Sequence, residues 1–276
     1  MKTILVPTDF SETADNALNY AIEIAKLTNA TIILFHAYHA PVIASEAPVV
    51  MPSLYEIEKE CVNDLEKLQN SIYQKHGKQI TIRYECVCGF AVDEINLFCE
   101  KNKIDLIVMG MKGGGYFTEK IIGSITTSLI HNTKCPILAI DEKVKFKSIK
   151  KIVLACDYIK IPNNLIFEPL KEFVRLFTSH VHVLNVVKDL EHAPTLNEAV
   201  AGMKIELGLA DIDHTFHYAK NDDVVEGINE FVTEQNIDMV VMIPRIHSVL
   251  RNLFNEPQTK KMAFHTKVPL LSLSIK

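Results

Sequence analysis

The chain has 276 residues, a formal net charge of -5, 48% hydrophobic and 23% charged residues, with glycine and proline at ordinary levels. That balance excludes a disordered or collagen-like polymer and gives no general attraction to nucleic acid or anionic lipid, so neither is expected as a partner. The length fits two small domains or one large one, so the pattern along the chain has to decide.

Met1-Lys2-Thr3 runs straight into Ile4-Leu5-Val6. No signal-peptide h-region and no apolar run of membrane-spanning length follows, and a cytoplasmic location is expected. Ile4 to Pro7 reads as a short strand ending in Thr8-Asp9. Ser11 then stands as an N-cap before Ala14, Ala17, Leu18, Ala21 and Ala25 at helical spacing. Thr31 to Phe35 is a β-branched strand of the kind buried on both faces, and residues 36–55, with three prolines and no steady period, read as a long loop. Residues 56–74 return to helix, 80–87 alternate as a strand, 93–100 are helical and 105–109 form another buried strand. A glycine-rich loop at 110–118, a helix at 124–131 and a strand at 136–140 complete the unit. Strands alternating with helices imply a parallel, doubly wound sheet. The lysine-rich stretch 143–151, without a strong apolar period, reads as a solvated linker.

After it the pattern repeats. Residues 152–157 parallel 4–9, His182-Val183-Leu184 parallels Ile32-Ile33-Leu34, residues 237–242 parallel 104–109, and 267–271 parallel 134–138. Four matches in one order indicate duplication, giving expected domains at 1–143 and 149–276.

The segment that carries chemistry is Gly110-Met111-Lys112-Gly113, then nine residues, then Gly123-Ser124 opening a helix. Glycines allow close backbone approach, and free N–H groups at a helix start favour a phosphate. Neither GxxxxGK[ST] nor GxGxxG occurs, which removes the P-loop and dinucleotide-fingerprint readings. By itself such a loop also reads as a flexible connection.

Pro7-Thr8-Asp9 after the first strand, the buried strand ending at Met109 and the G-x2-G-x9-G-S spacing together resemble the ATP-binding branch of the universal stress protein family, in its tandem form. The resemblance implies two Rossmann-like, adenine nucleotide alpha hydrolase-like units, each a five-stranded parallel sheet of order 3-2-1-4-5. It places ligand at the carboxyl ends of the first and fourth strands. Carried over, Pro7, Thr8 and Asp9 lie along the adenosine, with Asp9 toward the ribose hydroxyls or, alternatively, capping the first helix. Ala37 lines the adenine pocket, with His36 and Tyr38 where small aliphatic neighbours are expected. Met109, Gly110, Met111, Gly113, Gly123, Ser124 and Ile125 surround the phosphates, while Lys112 and Lys120 read as solvated. The implied ligand is ATP, with Mg2+ as its companion ion and ADP or AMP as alternatives. The implied assembly is an intramolecular pseudo-dimer joined through the last strands, ending at Ile140 and Leu273, with a homodimer as a further level.

The second half departs from this pattern. Ile243 and Ile246 stand at the places of Gly110 and Gly113, and Glu256-Pro257 at that of Gly123-Ser124. Bulk, negative charge and a missing N–H argue against a phosphate there. Asp157 remains as a helix-capping candidate, and Arg245 and Arg251 leave room for another anion.

Six cysteines, none in CxxC or zinc spacing, read as reduced and mostly buried thiols. His36 and His39 lack a third ligand at recognised spacing, and His131 and His265 sit near helix ends where a cation is favourable. No catalytic constellation stands out. The leading expectation is an ATP-binding stress-response or signalling protein. The alternatives are an ATPase, at most a slow one, and a nucleotide-independent scaffold or chaperone-like binder using the second half and the loop 36–55.

Overall fold

A computed structural model of the chain describes residues 1–39, 53–111, 123–156, 164–189, 196–244 and 268–274. The first half runs β1 (Thr3–Pro7), α1 (Glu12–Thr28), β2 (Thr31–Tyr38), α2 (Leu54–His76), β3 (Ile82–Cys88), α3 (Ala91–Lys101), β4 (Leu106–Gly110), α4 (Ser124–Asn132) and β5 (Ile137–Ile140). The second runs β6 (Lys151–Ala155), a 3-10 turn (Asn164–Phe167), α5 (Glu168–Phe177), β7 (His180–Val187), α6 (Leu196–Leu209), β8 (His214–Lys220), α7 (Val224–Glu234), β9 (Met239–Met242) and β10 (Leu270–Ser272).

The strands form one sheet in the order β3-β2-β1-β4-β5-β10-β9-β6-β7-β8. Each half is therefore a parallel 3-2-1-4-5 sheet, as expected. The two meet through antiparallel pairing of β5 with β10, Leu138 opposite Leu271. The strands read as β-branched runs because both faces are covered. Helices α1, α2, α5 and α6 share one apolar core on one face, α3 and α4 cover the other face of the first half, and α7 that of the second. At the seam the Met1 ammonium lies 3.1 Å from Glu172 of α5. Phe146 there packs between Tyr20, at 5.0 Å, and Phe177, at 6.1 Å. No helix among the described residues is long and apolar enough to cross a membrane.

The duplication extends to backbone detail. Asp105 accepts from the N–H groups of Lys2 and Thr3 at 2.6 and 2.9 Å, and Asp238 accepts from those of Lys150 and Lys151 at 2.8 and 3.0 Å. Each half thus ties the start of its first strand to the residue before its fourth. Burial opposes the charged form of Asp238, yet Lys147 and these two N–H groups hold its carboxyl below the usual range.

Four expectations are corrected. Ile4 pairs with Ile32 and Ile152 with Val181, so Val181 takes the place of Ile32 and the match of His182 to Ile32 is one residue out of register. The slip matters because it moves every side chain to the other face of the sheet. The loop after β2 starts later than residue 36, because β2 continues to Tyr38 by pairing with β3. Ser53, in a reciprocal capping box with Glu56, starts α2 at Leu54. Residues 141–150 are not simply solvated: their lysines are exposed, but Val144 and Ile149 are buried, and Asn16 Nδ2 donates to the carbonyls of Asp141 and Val144 at 2.9 Å.

Not all the cysteines are free thiols. The packing of α2 on β3 brings the Cα atoms of Cys61 and Cys86 to 6.5 Å, and a disulfide joins them. Cys135 and Cys156 are buried thiols, Cys99 is half-buried and Cys88 is exposed.

Candidate functional site

The carboxyl ends of β1 and β4 lie side by side, with Ile4 paired to Leu106 and Leu5 to Ile107. From β1 the chain crosses to β2 on one side, while β4 enters on the other. This is the switch point of the sheet, where neighbouring loops diverge and leave a crevice.

On the β1 side, Pro7 is half-buried and Thr8 is 7% exposed. The Thr8 N–H donates to the Phe35 carbonyl at 2.9 Å, and its hydroxyl oxygen accepts from the Phe10 N–H at 3.0 Å. That closes a tight turn in which Phe10 takes a left-handed φ of 60°. Asp9 is exposed, and its Oδ1 accepts from both the N–H and the hydroxyl of Ser11, at 3.1 and 2.5 Å. Ser11 is the N-cap of α1 and accepts from the Ala14 N–H at 3.3 Å. Of the two roles weighed for Asp9, the structure shows the support of the α1 cap through Ser11. One turn on, the Asp15 carboxyl is pushed up by burial first and then by the charges of Asp9 and Glu12. This rim is negative and suits hydroxyl donors or a cation better than phosphate.

On the β4 side, Met109, Gly110 and Met111 are buried. The Met111 N–H donates to Ile140 O at 2.9 Å, and the Gly123 N–H returns to Met111 O at 2.6 Å, which seats the start of α4 against the end of β4. Thr126, buried in the first turn of α4, donates its hydroxyl to Gly110 O at 2.9 Å. Sequence reasoning passed over this threonine because a threonine in the first turn of a helix carries no motif of its own. The N-caps Ser11, Ser53 and Asp223 each bring a side-chain acceptor to their helices, whereas Gly123 brings none to α4. At this helix start Ser124 is exposed and Ile125 is 45% exposed. Gly113, Lys112 and Lys120 lie outside the described residues.

Ala37 lies on the α3–α4 face, in the apolar cluster that also holds Phe35 and Met109. Strand alternation sends His36 to the opposite face, where its Nδ1 donates to Thr8 O at 2.7 Å and its ring packs 4.9 Å from Phe10. The bulk expected beside the base pocket is therefore turned away from Ala37 and serves the β1 turn instead. His39 packs on Phe90 at 5.0 Å. The site thus gathers Pro7, Thr8, Asp9, Ala37, Met109, Gly110, Met111, Gly123, Ser124 and Ile125 at one end of one half-sheet.

In the second half, Cys156 takes the place of Thr8, its N–H donating to Leu184 O at 2.9 Å as Thr8 does to Phe35 O. Ile243, next after β9 as Gly110 ends β4, is 3% exposed and belongs to the apolar core with Cys156 and Leu273. Asp157, Arg245, Ile246, Arg251, Glu256, Pro257 and His265 lie outside the described residues.

Residues 1–141 match the model of the universal stress protein family. The chain belongs to that family. Two universal stress proteins of Methanocaldococcus jannaschii are each similar to about half of the chain. One is 30% identical over 145 residues, covering 52% of this chain and 84% of the relative. The other is 28% identical over 155 residues, covering 51% and 96%. Over its whole length this universal stress protein is similar in fold to one from Archaeoglobus fulgidus, with a TM-score of 0.73, 18% identity and coverage of 99% and 98%. A functionally unknown protein of Pseudomonas aeruginosa is similar at a TM-score of 0.60, 14% identity and coverage of 99% and 92%. The tandem arrangement of this universal stress protein is thus a fold that solved structures also adopt.

Proposed function

We propose that the amino-terminal half binds ATP, and that the protein acts in the cytoplasm as a nucleotide-dependent stress-response or signalling protein. The observation that carries this reading is that two unlike groups follow neighbouring strands. A carboxylate comes after β1, and adjacent β4 is bonded through Met111 to a helix start whose cap contributes no side chain to its own donors. A nucleotide has the matching polarity: ribose hydroxyls donate to Asp9, and phosphate oxygens accept from the backbone of α4, where the helix dipole adds to the attraction. Pro7, Thr8 and Ala37 flank the nucleoside. Met109, Gly110, Met111, Gly113, Gly123, Ser124 and Ile125 surround the phosphates, and Mg2+ accompanies them when ATP is the ligand. ADP or AMP at the same site is the variant in which fewer phosphates reach α4.

The carboxyl-terminal half, within proposed domain limits of 1–143 and 149–276, does not take a polyphosphate, because buried Ile243 stands where β4 ends in bare backbone. Binding rather than turnover is the proposed function, as Asp9 is the one carboxylate among the proposed contact residues and phosphoryl transfer needs metal ligands and a positioned water.

Calorimetric titration of the purified full chain with ATP, ADP and AMP tests this reading, with one saturable site per chain expected. The variant carrying Gly113→Ile and Gly123→Glu copies the second half into the first and should lose at least about 100-fold in affinity, as an acid at a helix start repels phosphate. An unchanged affinity would show that the site lies elsewhere. Steady-state phosphate release above about one per second, the low end for ordinary enzymes, would make this protein an enzyme instead.

A further inference from the structure

The amino-terminal ends of β7 and β8 carry a row of titratable side chains on the face covered by α7, at the opposite end of the strands from their carboxyl termini. His180 Nδ1 lies 2.7 Å from Asp213 Oδ2, and its Nε2 lies 2.9 Å from the Thr215 hydroxyl. That hydroxyl is 2.9 Å from His217 Nε2, which is 3.0 Å from His182 Nδ1. The His182 ring lies 4.7 Å from that of His180 and 5.0 Å from that of His217, and Phe231 of α7 closes over both His182 and His217 at 5.9 and 5.1 Å. Lys151 borders His182 from the β6 side, while the acidic residues of α7, Glu226, Glu230 and Glu234, are exposed. No group of three or more His, Cys, Asp or Glu side chains among the described residues is placed to hold a metal ion, so the row is a hydrogen-bonded one.

Its protons can be counted. Asp213 only accepts, so His180 Nδ1 carries a proton, and Thr215 has one hydroxyl proton to give. Between His182 Nδ1 and His217 Nε2 there is room for one proton, since two N–H groups facing each other at 3.0 Å repel. His182 Nε2 is buried and has no hydrogen-bond partner. A proton added to His182 therefore ends either on a buried nitrogen with no acceptor or against its neighbour's N–H.

We propose that this row is an acid-sensitive latch: proton uptake by the His182–His217 pair breaks it and frees β8 and α7 from β7, while the amino-terminal half stays closed. The electrostatics agree with the geometry. Burial, then His180, His217 and Lys151, lower His182 to about 4, and burial followed by His180 lowers His217. A histidine lowered in the closed state binds its proton more tightly once released. The stabilisation is therefore complete above the ordinary histidine value near 6.5 and drains away as pH falls from there toward about 4.

Hydrogen exchange of the full chain, followed by mass spectrometry at pH 7 and pH 5 and corrected for intrinsic exchange, tests the latch. His182 is only half-buried, so roughly a tenfold increase in opening at pH 5 is expected across residues 214–234, with β1 to β5 unchanged. His182→Phe keeps the packing without the proton, and His217→Gln keeps hydrogen bonding without titration. Each should cut the acid response below about twofold, and if the first fails to fold the second decides alone. Acid-independent exchange of this segment in the wild type, or an undiminished response in His217→Gln, would overturn the proposal.

Discussion

The ends of β4 and β9 occupy equivalent places in the two half-sheets, and they have been used in opposite ways. Gly110 ends β4 with its carbonyl bonded to Thr126 and its neighbours leading toward an uncapped helix. Ile243 follows β9 with its side chain buried in the apolar core. The strands, their order and even the aspartates that tie them are retained in both halves, so the fold tolerates either ending. What differs is the residue at the strand end, a glycine without a side chain in one half and an isoleucine that fills the core in the other, and on the proposed function only the first admits a ligand. Fold and site are thus separable: the first depends on buried runs of side chains, the second on a few positions where side chains are missing.

That contrast can be broken most forcefully at Gly110. Gly110→Ile copies the β9 ending, and ATP binding by calorimetry should fall at least about 100-fold, a loss of roughly 2.7 kcal/mol; retention of affinity in a folded variant would mean that the two endings are functionally equivalent. A second asymmetry is the disulfide, which braces α2 to β3 across a sequence separation of 25. Cys86→Ser should cost about 3.5 kcal/mol in chemical denaturation by the loop-entropy relation, and dithiothreitol should lower the wild type to the same level. The converse substitution, Ile243→Ala, should destabilise by about 3 kcal/mol through cavity formation while creating no second ATP site, because Glu256-Pro257 still stand at the places of Gly123-Ser124 in the sequence. The smallest effect is expected for Ser11→Ala, about 1 kcal/mol of stability from the lost cap of α1. ATP affinity should fall only slightly there, and a large fall would make the Asp9–Ser11 pair part of the ligand contact rather than its support.

Most of the architecture was legible because parallel strands buried on both faces leave continuous apolar runs, and four such runs recur in order. The register of β7 was not, since Val181-His182-Val183-Leu184 reads much the same after a slip of one, and only pairing to β6 decides it. That slip also hid the histidine row, by placing His182 at a core position of the other half. Val144 and Phe146 escaped notice among five lysines, whose charge masks an alternation of period two. The Cys61–Cys86 bond depends on how α2 lies across β3, which spacing along the chain does not encode. Of the candidate residues, the fold brings Pro7-Thr8-Asp9, Gly110 and Gly123 to one end of the sheet, while Gly113 lies outside the described residues. The bond from Thr126 to Gly110 and the turning away of His36 follow from helix docking and strand pleat, which motifs do not report.

The antiparallel seam between β5 and β10 has a geometric corollary. Because the two half-sheets run in opposite directions, the crevice of the first opens at one pole of the molecule and its counterpart at the other. On the proposed function, ligand is therefore presented at one pole only, and a macromolecule that recognises the occupied crevice approaches from one direction.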